Sequence, residues 1–401
     1  MRILNIISQY PGKTGSGTYL QSLIMEGKRR GYNQGLIAAL PYGDDYKNIY
    51  VDKFYPVFFE SESLPFPIVG MSDIMPYRST MYSDLDEEKF SLYKEAFKKT
   101  IRESIEDFKP DIIISHHLWI LTSIIMEEAK DIKVIGVCHG TDIRQLVNNP
   151  QFAPLVTRNM NELKNVVSLS ESQRKEIVKH YEIPIENIKV VGGGFNQDIF
   201  YRSFSNNKSE SIRLIYVGKL SYQKGLVSLI KVFKKMKKKY PLHLSLVGSG
   251  FGVEEACIKE LGVADKDIVF IGEVSQSILG NLFRESDIFV LPSFYEGLSL
   301  ATVEALASGL LAVVSEIPGL KDFLGQAINS SGAIEYVNLP EMKYESLPEG
   351  LSLNLFEEDL EYKLEKQINR YIGGYSQSNN IKKEIQKKSW NNIYKEIENL
   401  F

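Results

Sequence analysis

Short apolar runs alternate with amphipathic stretches along this chain, and they do so in two rounds. Residues 2–8 form a compact apolar run, the pattern of a strand buried on both faces. A loop follows, Pro11-Gly12-Lys13-Thr14-Gly15-Ser16-Gly17. A helical spacing then puts Leu20, Leu23 and Ile24 on one face and closes at Gly31. Residues 111–115, 133–138 and 165–169 continue as strands. The pattern restarts with a strand at 212–217 and a helix from about 225 to 239, then strands at 242–247, 267–271, 288–291 and 310–314. Strands alternating with helices imply parallel sheets covered on both faces.

Residues 201–211 are polar and aperiodic, and they read as a linker. The expected domains are therefore 1–200 and 212–380. The tail, 381–401, reads as one amphipathic helix offering Ile385, Trp390, Ile393 and Ile397 for docking. Residues 55–85 fit least well. Leu64-Pro65-Phe66-Pro67-Ile68-Val69-Gly70-Met71 is apolar but broken by proline, and it reads as a long loop covering the core.

A chain of 401 residues suits two domains, and 43% hydrophobic residues supply two cores. The formal charge of −4 gives no whole-protein basic field for nucleic acid. Cys138 and Cys257 stand in no metal spacing and read as free thiols of a reducing compartment. The opening residues lack a signal-peptide pattern, and no apolar run reaches the roughly 18 residues of a membrane span. A cytoplasmic protein is expected. Peripheral contact at the cytoplasmic membrane face stays open because of the lysine-rich run 231–239, which reads first as a solvated helix end.

The densest chemistry lies in residues 293–309. A strand ends at Pro292, Gly297 permits a tight turn, and a helix is predicted from about Ser299 to Ser308. The backbone N–H groups of Gly297, Leu298, Ser299 and Leu300 at such a start suit a diphosphate. Glu296 precedes the helix. Glu304 lies inside it, with Leu300 and Ala307 as apolar neighbours, so its carboxylate borders the buried face and wants a partner. Ribose hydroxyls would serve. Lys219 and Lys224 flank an earlier loop and could meet a diphosphate leaving group. Gly15-Ser16-Gly17 opens a helix but fails the dinucleotide fingerprint, since Leu20 stands where the third glycine belongs. His116-His117 lacks a third ligand at metal spacing and reads as structural or acceptor-facing. Asp84-Leu85-Asp86 has the spacing of a metal motif but reads as a helix start, with Ser83 or Asp84 as the cap. No metal and no cofactor are expected.

The segment from Glu296 to Glu304 resembles the Glu-x7-Glu signature of family 4 retaining glycosyltransferases. Other segments agree in order. Gly218-Lys219-Leu220 with Lys224-Gly225 resembles the family's Gly-Arg-Leu…Lys-Gly loop, with Lys219 where the family usually has Arg. Val247-Gly248-Ser249-Gly250 resembles its second-domain glycine turn, and Cys138-His139-Gly140-Thr141-Asp142 its first-domain His loop.

The resemblance implies the α/β GT-B fold: two Rossmann-like domains with parallel sheets facing across a cleft, the tail helix returning to the first domain. It implies a sugar donor linked to a nucleoside diphosphate, most often UDP, held by the second domain, with retention of anomeric configuration and no metal. It implies that Glu296 holds sugar hydroxyls, that Lys224, Lys219 and Gly15-Ser16-Gly17 serve the diphosphate, and that His139 faces the donor sugar. The acceptor, whether sugar, glycolipid, protein or small molecule, stays unnamed. Gly15-Ser16-Gly17 with His139-Gly140-Thr141-Asp142-Ile143 is also similar to the malate-glucosaminyl branch of bacillithiol synthesis. A nucleotide-sugar epimerase, a phosphorylase-like enzyme and a non-catalytic binding module remain as rival readings.

Overall fold

The computed structural model describes all residues except 13, 45–49, 74, 203–209, 297, 342–347 and 349. It divides into two compact units, Met1–Gly193 with Trp390–Phe401, and Gly194–Ser389. The first division falls in the glycine run 192–194. It precedes the polar stretch 201–211 read as the linker, most of which (203–209) lies outside the described residues.

In the first unit the strands are β1 (Arg2–Ile7), β2 (Asn33–Pro41), β3 (Lys53–Phe59), β4 (Ile112–His116), β5 (Lys133–Val137), β6 (Val166–Ser168) and β7 (Ile188–Val190). They form one sheet in the order β3-β2-β1-β4-β5-β6-β7. The second unit has β8 (Ile212–Val217), β9 (Leu242–Val247), β10 (Ile268–Gly272), β11 (Ile288–Leu291), β12 (Leu311–Ser315) and β13 (Ile334–Val337), in the order β10-β9-β8-β11-β12-β13. The ladders among the described residues are all parallel. In both units the order reverses beside the first strand. The loops leaving β1 and β4, and those leaving β8 and β11, therefore diverge and open a crevice at the carboxyl ends of the strands.

The apolar runs become strands because both sheet faces are covered. Ile3, Leu4, Ile6 and Ile7 are all fully buried, as are Leu214, Ile215 and Tyr216. Four strands escape the sequence reading: β2, β3, β7 and β13. Part of the stretch read as loop is in fact β3, whose Pro56 pairs with Ala38. Proline survives there because β3 is the sheet edge, where its missing N–H faces no partner strand.

The rest of that stretch does cover the core. Leu64, Phe66, Ile68, Val69 and Met71 are buried, and the exchange of Gly70 N to Thr80 O (3.0 Å) and Thr80 N to Ile68 O (2.9 Å) pins them down. The Asp-x-Asp spacing is a helix start, but the cap is Asp86 rather than Ser83 or Asp84. Its carboxylate accepts from Lys89 N at 2.8 Å and opens the helix Glu87–Phe108, while Asp84 closes a 3-10 turn just before it.

The tail is two helices, Asn379–Gln386 and Trp390–Glu398, rather than one. Between them Ser389 bridges Phe195, and Phe195 N donates to Lys388 O at 3.2 Å, so the backbone bonds there leave the helix. The second tail helix belongs to the first unit, where Trp390 packs edge-on against Tyr19 with ring centroids 4.9 Å apart.

The lysine run on and after the helix Leu226–Met236 meets acids. Lys231 pairs with Glu357 (3.1 Å), Lys235 with Glu361 (2.5 Å), Lys237 with Asp265 and Asp267 (2.6 and 2.5 Å) and Lys239 with Glu365 (3.5 Å). This face therefore carries mixed charge. Among the described residues, no helix is long and apolar enough to cross a membrane.

Candidate active site

In the second unit, two loops at the strand-order reversal are zipped together. Phe294 N, after β11, donates to Gln223 O, after β8, at 2.9 Å. Gly225 takes φ 68° at the cap of the helix Leu226–Met236, and a Cβ placed there would lie 2.0 Å from Pro292 O. The close approach and the left-handed backbone both demand glycine. Gly225→Ala should cost about 2–4 kcal/mol through strain and overpacking, read as a lowered midpoint in chemical denaturation. A midpoint unchanged from the parent would mean the two loops are not tied in this way.

This zipper brings Lys224 to Glu296. Lys224 Nζ lies 2.5 Å from Glu296 Oε1 and 3.4 Å from the Tyr295 carbonyl, and Ser293 Oγ stands 3.5 Å from the same carboxylate oxygen. Both side chains are about one-fifth exposed, so the pair borders solvent without being sealed from it. Lys219 does not join them. Its ammonium lies over the Phe251 ring, 5.6 Å from the centroid, beside the loop after β9. The two lysines, close in sequence, therefore serve different neighbours.

Ser299 caps the helix Leu300–Ala307, accepting from Thr302 N at 3.3 Å, one residue later than the predicted start. Leu298 is half-buried beside it, while Gly297 lies outside the described residues. Glu304 is 7% exposed, and no hydrogen bond or ion pair meets its carboxylate among the described residues. Burial raises its pKa from the ordinary 4.5 to about 8. A carboxyl group buried without a partner costs stability, and a ligand supplying donors would relieve that cost.

In the first unit the corresponding crevice holds Gly15, Ser16 and Gly17 and three histidines. Thr14 caps the helix Gly15–Arg29 by accepting from Gly17 N at 3.1 Å. Ser16 turns inward, toward Thr14 Oγ1 (3.1 Å) and Gln9 Nε2 (3.2 Å). Gln9 Nε2 also meets His117 Nε2 at 2.7 Å, and His117 Nδ1 meets Thr141 Oγ1 at 3.4 Å. His117 has both ring nitrogens engaged by protein and a φ of +74°, a strained backbone held by its surroundings.

His116 Nδ1 lies 3.1 Å from His139 Nε2. The third imidazole absent from local spacing thus arrives from 23 residues away through the pairing of β4 with β5. Even so, the described residues contain no group arranged to hold a metal ion. Burial lowers the pKa of all three rings, that of His139 to about 3, so they are neutral at physiological pH. Buried Asp142 accepts from Leu118 N (2.9 Å), His139 N (3.2 Å) and Cys138 Sγ (3.3 Å), tying the loops after β4 and β5 together.

Sequence reasoning missed Gln9 and the hub role of Asp142. Their signal was position alone: Gln9 stands two residues past β1, and Asp142 is the second residue of a helix after β5.

Two family models cover most of the chain. Glycosyltransferase Family 4 matches residues 14–198, and Glycosyl transferases group 1 matches residues 198–367. The chain belongs to the family 4 glycosyltransferases. An uncharacterised glycosyltransferase of Methanocaldococcus jannaschii is 30% identical over 251 residues, 59% of each chain. The matches span 59% and 54% of the first curated relatives, not their whole length.

Among solved structures, sucrose-phosphate synthase from Thermosynechococcus elongatus superposes with a TM-score of 0.70 at 14% identity, covering 100% of this chain and 98% of that one. Anabaena HepE in complex with UDP superposes with a TM-score of 0.68 at 16% identity, covering 100% and 99%. At such identities these likenesses show the fold, which is that of the GT-B glycosyltransferases.

Proposed function

We propose that this family 4 glycosyltransferase takes a sugar from a nucleoside diphosphate donor, UDP-linked in the first instance, and passes it to an acceptor hydroxyl with retention of anomeric configuration. The observation that carries this reading is the convergence of Lys224, Glu296 and the helix bearing unpartnered Glu304 on one crevice at the β8/β11 reversal. Such crevices bind nucleotides across diverse α/β sheets.

Lys224 and the start of the helix Leu300–Ala307 would hold the diphosphate, Glu296 the sugar hydroxyls and Glu304 the ribose. Lys219 would complete the diphosphate site within the second unit, and in the first unit Gly15-Ser16-Gly17 opens a helix whose N–H groups suit phosphate. As the glycosidic bond breaks, negative charge grows on the leaving phosphate, which Lys224 stabilises. That phosphate can take the acceptor proton on the face the sugar bond vacates. His139, neutral, would hold the sugar without adding positive charge beside an anomeric carbon that is itself becoming positive.

The test is UDP release from a panel of UDP-sugars, with and without a pool of candidate acceptors, followed by NMR of the product's anomeric coupling. Acceptor-dependent release with retained configuration is expected. Turnover without any acceptor would favour the epimerase or phosphorylase-like reading, and binding without turnover the non-catalytic module.

Turnover should survive EDTA, because Asp84 and Asp86, the pair spaced like a metal motif, are taken up by the turn and cap of the helix Glu87–Phe108. Loss of activity on chelation, restored by Mg²⁺ or Mn²⁺, would reverse this.

A further inference from the structure

We propose that His116 is a positioning residue: through one shared proton it holds His139 as the Nδ1–H tautomer, so that His139 meets its ligand as a hydrogen-bond donor to an oxygen. Only the consequence for turnover rests on the function proposed above; the lock itself stands on geometry. His116 ends β4 and is fully buried, while His139 follows β5 and is half-buried. Their facing nitrogens, His116 Nδ1 and His139 Nε2, are 3.1 Å apart. The ring planes differ by 14° and the centroids lie 5.3 Å apart. Rings that nearly coplanar, with nitrogens that close, are joined edge to edge by an in-plane N–H···N bond rather than stacked face to face.

Both rings are neutral, because burial disfavours the imidazolium. Each therefore carries one hydrogen, and the bridge holds one of the two. Two N–H groups cannot face each other across it, and two lone pairs would repel. Only two arrangements survive: both rings Nδ1–H, or both rings Nε2–H. In the second, fully buried His116 would carry an N–H at Nε2, an atom with no partner among the described residues. In the first, the unpaired atom inside the protein is a lone pair, and the free N–H belongs to half-buried His139. Orphaned buried N–H groups are rarer than unpaired acceptors, which selects the first arrangement. It outweighs the small intrinsic preference of imidazole for Nε2–H. His117 does not compete for the bridge, since Gln9 and Thr141 already occupy its nitrogens.

The experiment is two-bond ¹⁵N–¹H correlation NMR on the full chain labelled at histidine, without nucleotide or acceptor. Signals are assigned by single-histidine variants. Both His116 and His139 should show the Nδ1–H pattern. In His116→Leu, His139 should move toward Nε2–H. In His116→Asn, whose Nδ2 can donate across the same bridge, His139 should return to Nδ1–H. Turnover should fall about tenfold in His116→Leu, the scale of one net hydrogen bond, and recover in His116→Asn. An Nε2–H pattern at His139 in the parent protein, or an unchanged Nδ1–H pattern in His116→Leu, overturns the proposal. Should His116→Leu fail to fold, the parent and His116→Asn spectra still decide it. Because the spectra need no substrate, they report on the tautomer even if the transferase reading fails.

Discussion

Lys224→Ala should lower kcat by about 10²–10³-fold in a protein that still folds, the scale seen when one preorganised donor to a developing charge is removed. Lys224 Nζ sits 2.5 Å from Glu296 Oε1, at the junction of the loops after β8 and β11. In the proposed reaction its ammonium neutralises the departing diphosphate. That interaction strengthens as the glycosidic bond breaks, so its loss should appear in kcat more than in the affinity for the nucleotide sugar.

The ion pair adds a second effect in the same direction. Without Lys224, Ser293 Oγ, at 3.5 Å, is what remains beside that carboxylate oxygen among the described residues, and Glu296 loses the cation that fixes its orientation. Lys219→Ala should cost much less, because its side chain lies on Phe251, away from this pair. Lys219→Arg should be tolerated or raise turnover, as a forked guanidinium can grip phosphate at two points. Steady-state kinetics on the three variants, each checked by circular dichroism, tests this. A folded Lys224→Ala protein with near-normal kcat would return Lys224 to the status of a surface lysine.

The second unit was the more legible one. Its β8, β9 and β11 coincide with the runs read from sequence, and Lys224 meets Glu296 just ahead of the helix bearing Glu304 because a strand–turn–helix pattern writes backbone geometry directly into local sequence. Sheet edges were the opposite case. β3 carries Pro56 and is mostly half-buried, while β13 is only four residues long and has a charged Glu335 among its buried positions, so neither leaves a clean apolar run. The split of Lys219 from Lys224 was invisible because five residues of loop can bend either way. The lysine run looked unbalanced because its acids come later in the chain: Asp265 and Asp267 for Lys237, and Glu357, Glu361 and Glu365 on the helix Leu351–Ile372, more than a hundred residues on. The histidine cluster was hidden for the same reason. Strand pairing, not spacing, brings His139 to His116, and a β–α crossover carries no local mark of its destination.

Glu304 should make binding of the nucleotide sugar depend on pH in a direction its environment dictates. With a folded pKa of about 8, its carboxyl is protonated in the free protein at pH 7. Ribose hydroxyls donating to it favour the charged form and pull that pKa down. Binding should then release up to one proton, and affinity for UDP or a UDP-sugar should rise with pH toward about 8 and level off above it. Glu304→Gln should abolish this rise, lying near the parent at pH 6 and below it at pH 8.5. Glu304→Ala should weaken binding by about 1.5–3 kcal/mol at the upper end, the range for hydrogen bonds to a charged group.

Stability should move the other way. Between the ordinary 4.5 of the unfolded chain and about 8, the folded state holds a proton that the unfolded state has lost. The contribution is full below that window, falls by about 1.4 kcal/mol per pH unit through it, and is flat above. Glu304→Gln should remove that slope, so denaturation midpoints of the two proteins should diverge between pH 5.5 and 8.5, with the glutamine variant ahead at high pH. Calorimetric titration in buffers of different ionisation enthalpy measures the proton release directly. Release of no proton, with parallel denaturation curves for parent and Glu304→Gln, would mean that Glu304 is already ionised in the folded chain. It would then have a partner other than ribose.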